Sequence, residues 1–243
     1  MYIYGVMDKL LEYQDKVLKL LAGKMEDFYL AGGTALSRVY FKHRISYDLD
    51  FFTKKFSKNK ISMIMQEISK SLGLRISLAK EQNKKDMAKM AVYYIYISKG
   101  EILKIDFVED FFELIEPLKT VDGIKVLSLE DIYLRKIFTV SGAIGTTDLT
   151  GRRTFKGGRE EPKDFYDLYV LSHTFMRLSE FARRYCDSTR KEGLITWFRS
   201  YDRMEMKTGL LDIITDNRID YKNMERHFNE EIDRLVKKEI GLL

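Results

Sequence analysis

Apolar residues recur at helical spacing over residues 5–22, where Met7, Leu10, Leu11, Val17, Leu18 and Leu21 share a face and Gly23 stands ready to end the helix. A second stretch of this kind covers 57–72, with Ile61, Ile64, Met65, Ile68 and Leu72 inward and Gly73 behind them. Elsewhere in the first half the period is two. Residues 28–31 read as a short apolar strand, 48–52 as an alternating one, 74–79 and 87–98 as strands, the latter with Val92, Tyr94 and Tyr96 on one face, and 102–108 as another strand after Gly100, which closes a hairpin. Helical spacing returns at 129–140, introduced by the capping-box pattern Ser128-Leu129-Glu130-Asp131, and again from Pro162. Further helices follow from Ser179, one around Trp197 and Phe198 and a long last one from Tyr221 with Met224, Phe228, Ile232, Leu235 and Val236 inward. The order predicts an α/β (α+β) protein: a mixed, twisted sheet of about five strands with helices behind it and a helical C-terminal half. The shift in composition near residue 175 predicts a core over 1–175 and a helical region over 176–243 packed on it.

Two stretches break this pattern in ways that packing does not require. After the strand at 28–31 the chain reads Gly32-Gly33-Thr34, a turn into a helix, and glycines there let backbone N–H groups converge on an anion. In 48–52, Asp48 and Asp50 point to one face while Leu49 and Phe51 point to the other. Aspartate is depleted in strands, and two carboxylates about 6 Å apart repel by about 3 kcal/mol at an effective dielectric near 20. A divalent cation turns that repulsion into binding, so hard oxygen ligands beside a phosphate cradle predict magnesium and a nucleoside triphosphate. The plainer alternative is an edge strand whose aspartates block aggregation.

Gly32-Gly33-Thr34-Ala35-Leu36, followed by His43-Arg44-Ile45-Ser46-Tyr47-Asp48-Leu49-Asp50-Phe51-Phe52, resembles the signature of the AbiEii/AbiGii toxin family of nucleotidyltransferases, within the DNA polymerase β-like superfamily. The resemblance extends from about residue 10 to about residue 175. It implies a nucleotidyltransferase core and a two-metal site. Asp48, Asp50 and Asp106 would be the metal ligands, with Asp106 on a strand beside that of Asp48 and Asp50. Gly32, Gly33, Thr34, Arg44 and Ser46 would bind nucleotide. It also implies that Lys136 contacts phosphate from the helix at 129–140, with Arg135 as a substitute. The closing motif Lys163-Asp164-Phe165-Tyr166-Asp167-Leu168 carries Lys163 where the family has arginine, which keeps a cation and loses the guanidinium fork. Asp164 and Asp167, one turn apart, hold Lys136 or position the acceptor; complementing the helix dipole is the alternative. In function the resemblance implies transfer from an NTP, with Mg2+, to an RNA such as the tRNA 3′ end or to a protein hydroxyl, by the toxin of a toxin–antitoxin or abortive-infection pair with a cognate antitoxin. A nucleotide- or antitoxin-binding module without turnover, and an antibiotic-modifying enzyme using Asp202, Glu205 and Asp212, are the competing functions.

Composition narrows the class. With 45% hydrophobic and 33% charged residues the 243-residue chain is globular rather than disordered, and its net charge of +5 does not by itself call for nucleic acid. The single Cys186 excludes a disulfide framework, and no apolar run reaches the length of a membrane span, which together predict a cytoplasmic protein with no membrane partner. Residues 141–162, rich in Gly and carrying Arg152, Arg153, Lys156 and Arg159, form either a basic flap over the site or an idle exposed insertion.

Overall fold

The computed structural model of the chain describes residues 2–85, 87–142, 144–147, 153–156 and 158–239; for 2–8, 144–147 and 153–156 it describes the course of the backbone alone. The chain divides into two compact units, residues 1–42 with 46–129 and residues 43–45 with 130–243.

The first unit begins with α1 (Tyr2–Leu21), which buries Val17 and Leu21 and ends at Gly23, φ +71°. It continues through β1 (Phe28–Leu30), the single turn α2 (Gly32–Ala35) and a π-helical segment (Leu36–Phe41) to β2 (Leu49–Thr53). Helix α3 (Lys58–Leu72) is capped by Ser57, whose hydroxyl accepts from the Lys60 N–H, and stopped by Gly73 in the left-handed region. The chain then meanders through β3 (Ile76–Gln82), β4 (Met90–Ser98), β5 (Glu101–Glu109), β6 (Lys119–Val121) and β7 (Ile124–Val126). Among the described residues these make a seven-stranded sheet in the order β3-β4-β5-β2-β1-β7-β6.

The expected sheet of about five strands is therefore extended by β6 and β7. Each is three residues long, too short to show a period in sequence. Strand β3 also runs on to Gln82, past the end of the stretch 74–79 expected as strand, because an edge strand tolerates charged side chains.

At the centre of the sheet β2 lies parallel to β5, with Asp50 beside Asp106, Leu49 beside Ile105 and Phe51 beside Phe107. The period of two then separates the faces. Leu49, Phe51, Leu103, Ile105 and Phe107 are fully buried, with Phe51 stacked on Phe107 at 5.8 Å and Phe28 edge-on to Phe107 at 5.5 Å. Every acid of interest projects from the opposite face.

The second unit holds α4 (Leu129–Ser141), an antiparallel hairpin of β8 (Ile144–Thr147) and β9 (Arg153–Lys156), and α5 (Pro162–Thr174), which starts with proline in its first turn. It closes with α6 (Leu178–Tyr185), α7 (Ser188–Ser200), α8 (Arg203–Gly209) and α9 (Tyr221–Glu239). Phe165 is its hub, with Phe228 at 4.7 Å, Tyr201 at 5.4 Å and Trp197 at 6.0 Å. Because α5 packs on α6, α8 and α9, the chain divides where α4 begins rather than near residue 175. The basic stretch at 141–162 contains the β8–β9 hairpin where an irregular loop was expected, and Arg152 lies outside the described residues. Among the described residues no helix is long and apolar enough to cross a membrane.

Phe107 is buried, ringed by Phe28, Phe51 and Tyr93, and adjacent in sequence to Asp106. Phe107→Ala is expected to destabilise the protein by about 3–5 kcal/mol, read as a lowered midpoint of urea unfolding with an unchanged slope.

Candidate active site

The candidate site of the first unit starts where β1 hands over to α2. Ala31 is extended and donates its N–H to the Asp50 carbonyl at 2.9 Å, and Gly32 follows at φ +65°. A Cβ at Gly32 would lie 2.5 Å from Asp50 Oδ2, so this position is glycine for two reasons: the backbone angle and the closeness of the carboxylate. The glycine turn and the acidic strand are in contact.

Thr34 and Ser46 brace the acids from behind. Thr34 is fully buried, its hydroxyl donates to the Asp48 carbonyl, and its Oγ1 lies 2.8 Å from Ser46 Oγ. Gln14 of α1 adds a second clamp, donating from Nε2 to the carbonyls of Ser46 (3.1 Å) and Tyr47 (3.0 Å). Arg38 of the π-helical segment donates to Gln14 Oε1 at 2.8 Å and so orients that amide. Sequence reasoning gave α1 a packing role alone and missed Gln14. Its signal was nonetheless present: a polar residue on the apolar stripe, four residues after Leu10 and three before Val17.

The register of β2 on β5 makes a square of charge. Asp50 sits beside Asp106 in the register, and the side chain of Lys104, two residues earlier on the same face, reaches toward Asp48, which precedes β2. Lys104 Nζ is 2.7 Å from Asp106 Oδ2 and 3.8 Å from Asp48 Oδ2. The other Asp106 oxygen, Oδ1, is buried with no hydrogen-bond partner among the described residues. Burial pushes the Asp106 carboxyl above the ordinary carboxylate range and the Asp48 charge adds to this, while Lys104 opposes it. Burial also works against the Lys104 charge, but Asp106, Asp48 and Asp50 outweigh it and raise its pKa.

The donor set suits a hard divalent cation: carboxylate oxygens on rigid strands, one of them buried and unpaired, with an ammonium already marking a point where positive charge is stable. The cluster is not a finished cage, since among the described residues no three His, Cys, Asp or Glu side chains converge closely enough to hold a metal by themselves.

The other predicted residues lie in the second unit. Arg44, in the segment 43–45, forks onto Asp167, Nε to Oδ1 at 2.6 Å and Nη2 to Oδ2 at 2.8 Å, and His43 Nε2 meets Oδ1 at 2.7 Å. Lys136 is buried and bridges two carboxylates, 2.6 Å from Asp164 Oδ1 and 2.6 Å from Asp167 Oδ2. Arg159 Nη2 donates to Asp164 Oδ1 at 2.9 Å. Of the three roles offered for Asp164 and Asp167, holding Lys136 is seen for both, and Asp164 also lies in the first turn of α5. Lys163 is half-buried and pairs with Glu161 at 3.2 Å.

Burial opposes ionisation of Asp167, yet the Lys136 charge and the bonds from Arg44 and His43 overcome it and hold the carboxyl well below its usual range. Asp164 is lowered likewise, burial being outweighed by Lys136 and Arg159. Lys136 is raised, burial being outweighed by Asp167 and Asp164.

A glycine turn packed against an Asp-x-Asp strand, with a third aspartate on the parallel neighbour, defines the nucleotidyltransferase class of site. Residues 18–239 match the family described as "Nucleotidyl transferase AbiEii toxin, Type IV TA system", and the chain belongs to that family. It is 33% identical over 171 residues to an uncharacterized protein of Aquifex aeolicus (strain VF5), covering 66% of this chain and 64% of that relative's length. In fold it is similar to the crystal structure of JHP933 from Helicobacter pylori, with 18% identity, 94% of each chain covered and a TM-score of 0.55. It is also similar to MenT4, a nucleotidyltransferase toxin of Mycobacterium tuberculosis H37Rv, with 13% identity, 95% of this chain and 84% of that chain covered and a TM-score of 0.54.

Two outcomes follow from the Asp167 network. Asp167→Ala leaves Lys136, Arg44 and His43 facing a vacated buried position and is expected to cost about 3–5 kcal/mol, measured by denaturant unfolding. Because Asp164 and Asp167 have folded pKa values below their unfolded ones, their contribution is complete above about pH 4 to 5 and fades as pH falls through the depressed folded values. Thermal melts from pH 7 to pH 2 should show this acid loss in the unmodified protein and a smaller one in Asp167→Asn.

Proposed function

We propose that the chain transfers a nucleotidyl group from an NTP to a hydroxyl on RNA, with the tRNA 3′ end as the acceptor, and that it is the toxin of a toxin–antitoxin pair. The charge square on β2 and β5 carries this reading. Three carboxylates gathered on one sheet face beside a glycine turn serve no packing purpose, and their mutual repulsion is tolerated where a cation and a polyphosphate are to be bound. Asp48, Asp50 and Asp106 would hold Mg2+, and a cation there would shield the triphosphate and the departing pyrophosphate.

The chain's own groups supply the rest. Gly32 brings backbone close to Asp50, while Thr34, Ser46 and Gln14 fix the backbone from which Asp48 projects, and the turn Gly32-Gly33 would receive phosphate oxygens. Asp106 would take the proton of the attacking hydroxyl. The acceptor oxygen then bonds to the α-phosphorus and the bond to pyrophosphate breaks. Lys136 and Arg44 can reach a phosphate only by loosening their hold on Asp164 or Asp167, so we assign them the positioning of α5. The basic residues Arg152, Arg153 and Lys156 in the sequence favour RNA over protein as acceptor.

The competing readings find less support. A binding module without turnover would be favoured by Asp106 facing away from Asp50, and the two are register partners. An antibiotic-modifying enzyme would need acids free to receive a cationic acceptor, and Asp202 is spent on capping α8 through the N–H groups of Met204 and Glu205.

The test is incubation with Mg2+, each α-³²P NTP in turn and total cellular RNA. Label should enter tRNA-sized material with one preferred base and fall by a factor of at least about 10³ in Asp50→Asn, whose melting temperature stays equal or rises. Label on protein instead would replace the acceptor and keep the chemistry. No label on either would refute the transferase reading for these acceptors.

A further inference from the structure

The ammonium of Lys104 lies where an incoming cation would have to go. It is within hydrogen-bond distance of Asp106 and 3.8 Å from Asp48, on the face that also carries Asp50. The contact follows from the fold rather than from a stray rotamer. Lys104 and Asp106 are two residues apart on one strand, the parallel register fixes Asp50 beside Asp106, and Asp48 immediately precedes that paired strand. A positive charge at that position weakens the field felt by any free divalent ion. It also removes the repulsion that three carboxylates would otherwise suffer without metal. A lysine on a flexible four-carbon stem, its side chain about a third exposed, can leave when something else takes over both tasks.

We propose that Lys104 is a built-in counter-ion that competes with the divalent cation and makes metal binding depend on nucleotide. Without nucleotide the ammonium holds the acids closed. When a triphosphate arrives, its oxygens offer the displaced ammonium a new partner, so metal and nucleotide bind cooperatively, each tightening the other by the same factor. The free protein then does not retain metal at the site by itself. This inference rests on the reading of Asp48, Asp50 and Asp106 as the cation-holding residues.

Mn2+ binding, followed by the loss of the free-ion EPR signal, tests it on the full chain, without and with a non-reactive α,β-methylene NTP analogue. Lys104→Met should bind Mn2+ at least about tenfold more tightly than the unmodified protein when no nucleotide is present, and Lys104→Arg should match the unmodified protein. The analogue should improve Mn2+ binding to the unmodified protein more than to Lys104→Met. In EDTA, Lys104→Met should melt lower than the unmodified protein and recover with Mn2+, which also shows that it folds. Unchanged or weaker Mn2+ binding by folded Lys104→Met, while Asp50→Asn abolishes binding, would overturn the counter-ion and leave the metal site standing. Equal tightening in Lys104→Arg would overturn it as well, since charge would then not be the cause. Absence of Mn2+ binding by the unmodified protein even with the analogue would overturn both the inference and the metal reading.

Discussion

Like charges forced together by a sheet register are the constraint from which the first unit is built. Parallel pairing of β2 with β5 places Asp50 against Asp106, and the same pairing sends Phe51 and Phe107 into the core. The two results cannot be separated, because a slip of one residue would turn the carboxylates inward and the aromatic rings out to water. The apolar face thus enforces the electrostatic one. The stacked and edge-on rings of Phe28, Phe51 and Phe107 hold carboxylates at a spacing that the carboxylates alone would not choose.

The second unit treats charge in the opposite way. Asp164 and Asp167 are buried and saturated, each shared between cations, and Lys136 is held between them. Such a network gives little net stability over an apolar core, but once formed it penalises the loss of any member. Its value is geometric: it locks α4, α5 and the segment 43–45 in one arrangement. In the first unit Asp48 is half-exposed and one oxygen of Asp106 has no hydrogen-bond partner among the described residues, while the acids on α5 are buried and paired.

Much of this was legible in the sequence, and the parts that were not have physical reasons. The glycine turn, Asp48, Asp50 and the alternation of 102–108 announced themselves because each breaks a local rule that packing would have kept. The adjacency of Asp106 to Asp50 needed the resemblance as well, since periodicity gives a face but not a neighbour. Strands β6 and β7 were invisible at three residues each, and they form by pairing, β7 with β1 and β6 with β7, rather than from their own pattern. The π-helical turn at 36–41 has no compositional mark, yet it carries Arg38 to Gln14. Lys136 reads as a surface lysine until α5 is known to bring two carboxylates to it. Residues 141–162 looked irregular because their hairpin strands are four residues long and polar.

The segment 43–45 is embedded in the chain of the first unit but belongs to the second, and this bears on how the protein is made. Arg44 leaves the ribosome 123 residues ahead of Asp167, the group that receives its guanidinium. The first unit can gather its sheet during synthesis, whereas that three-residue tether must stay unsatisfied until α5 has emerged. Nor can the molecule be cut into two cassettes. A fragment starting at residue 130 keeps Lys136 but lacks His43 and Arg44, two of the three cationic partners of Asp167, and one ending at residue 129 keeps those two without Asp167. A cut at residue 129 therefore divides the second unit itself.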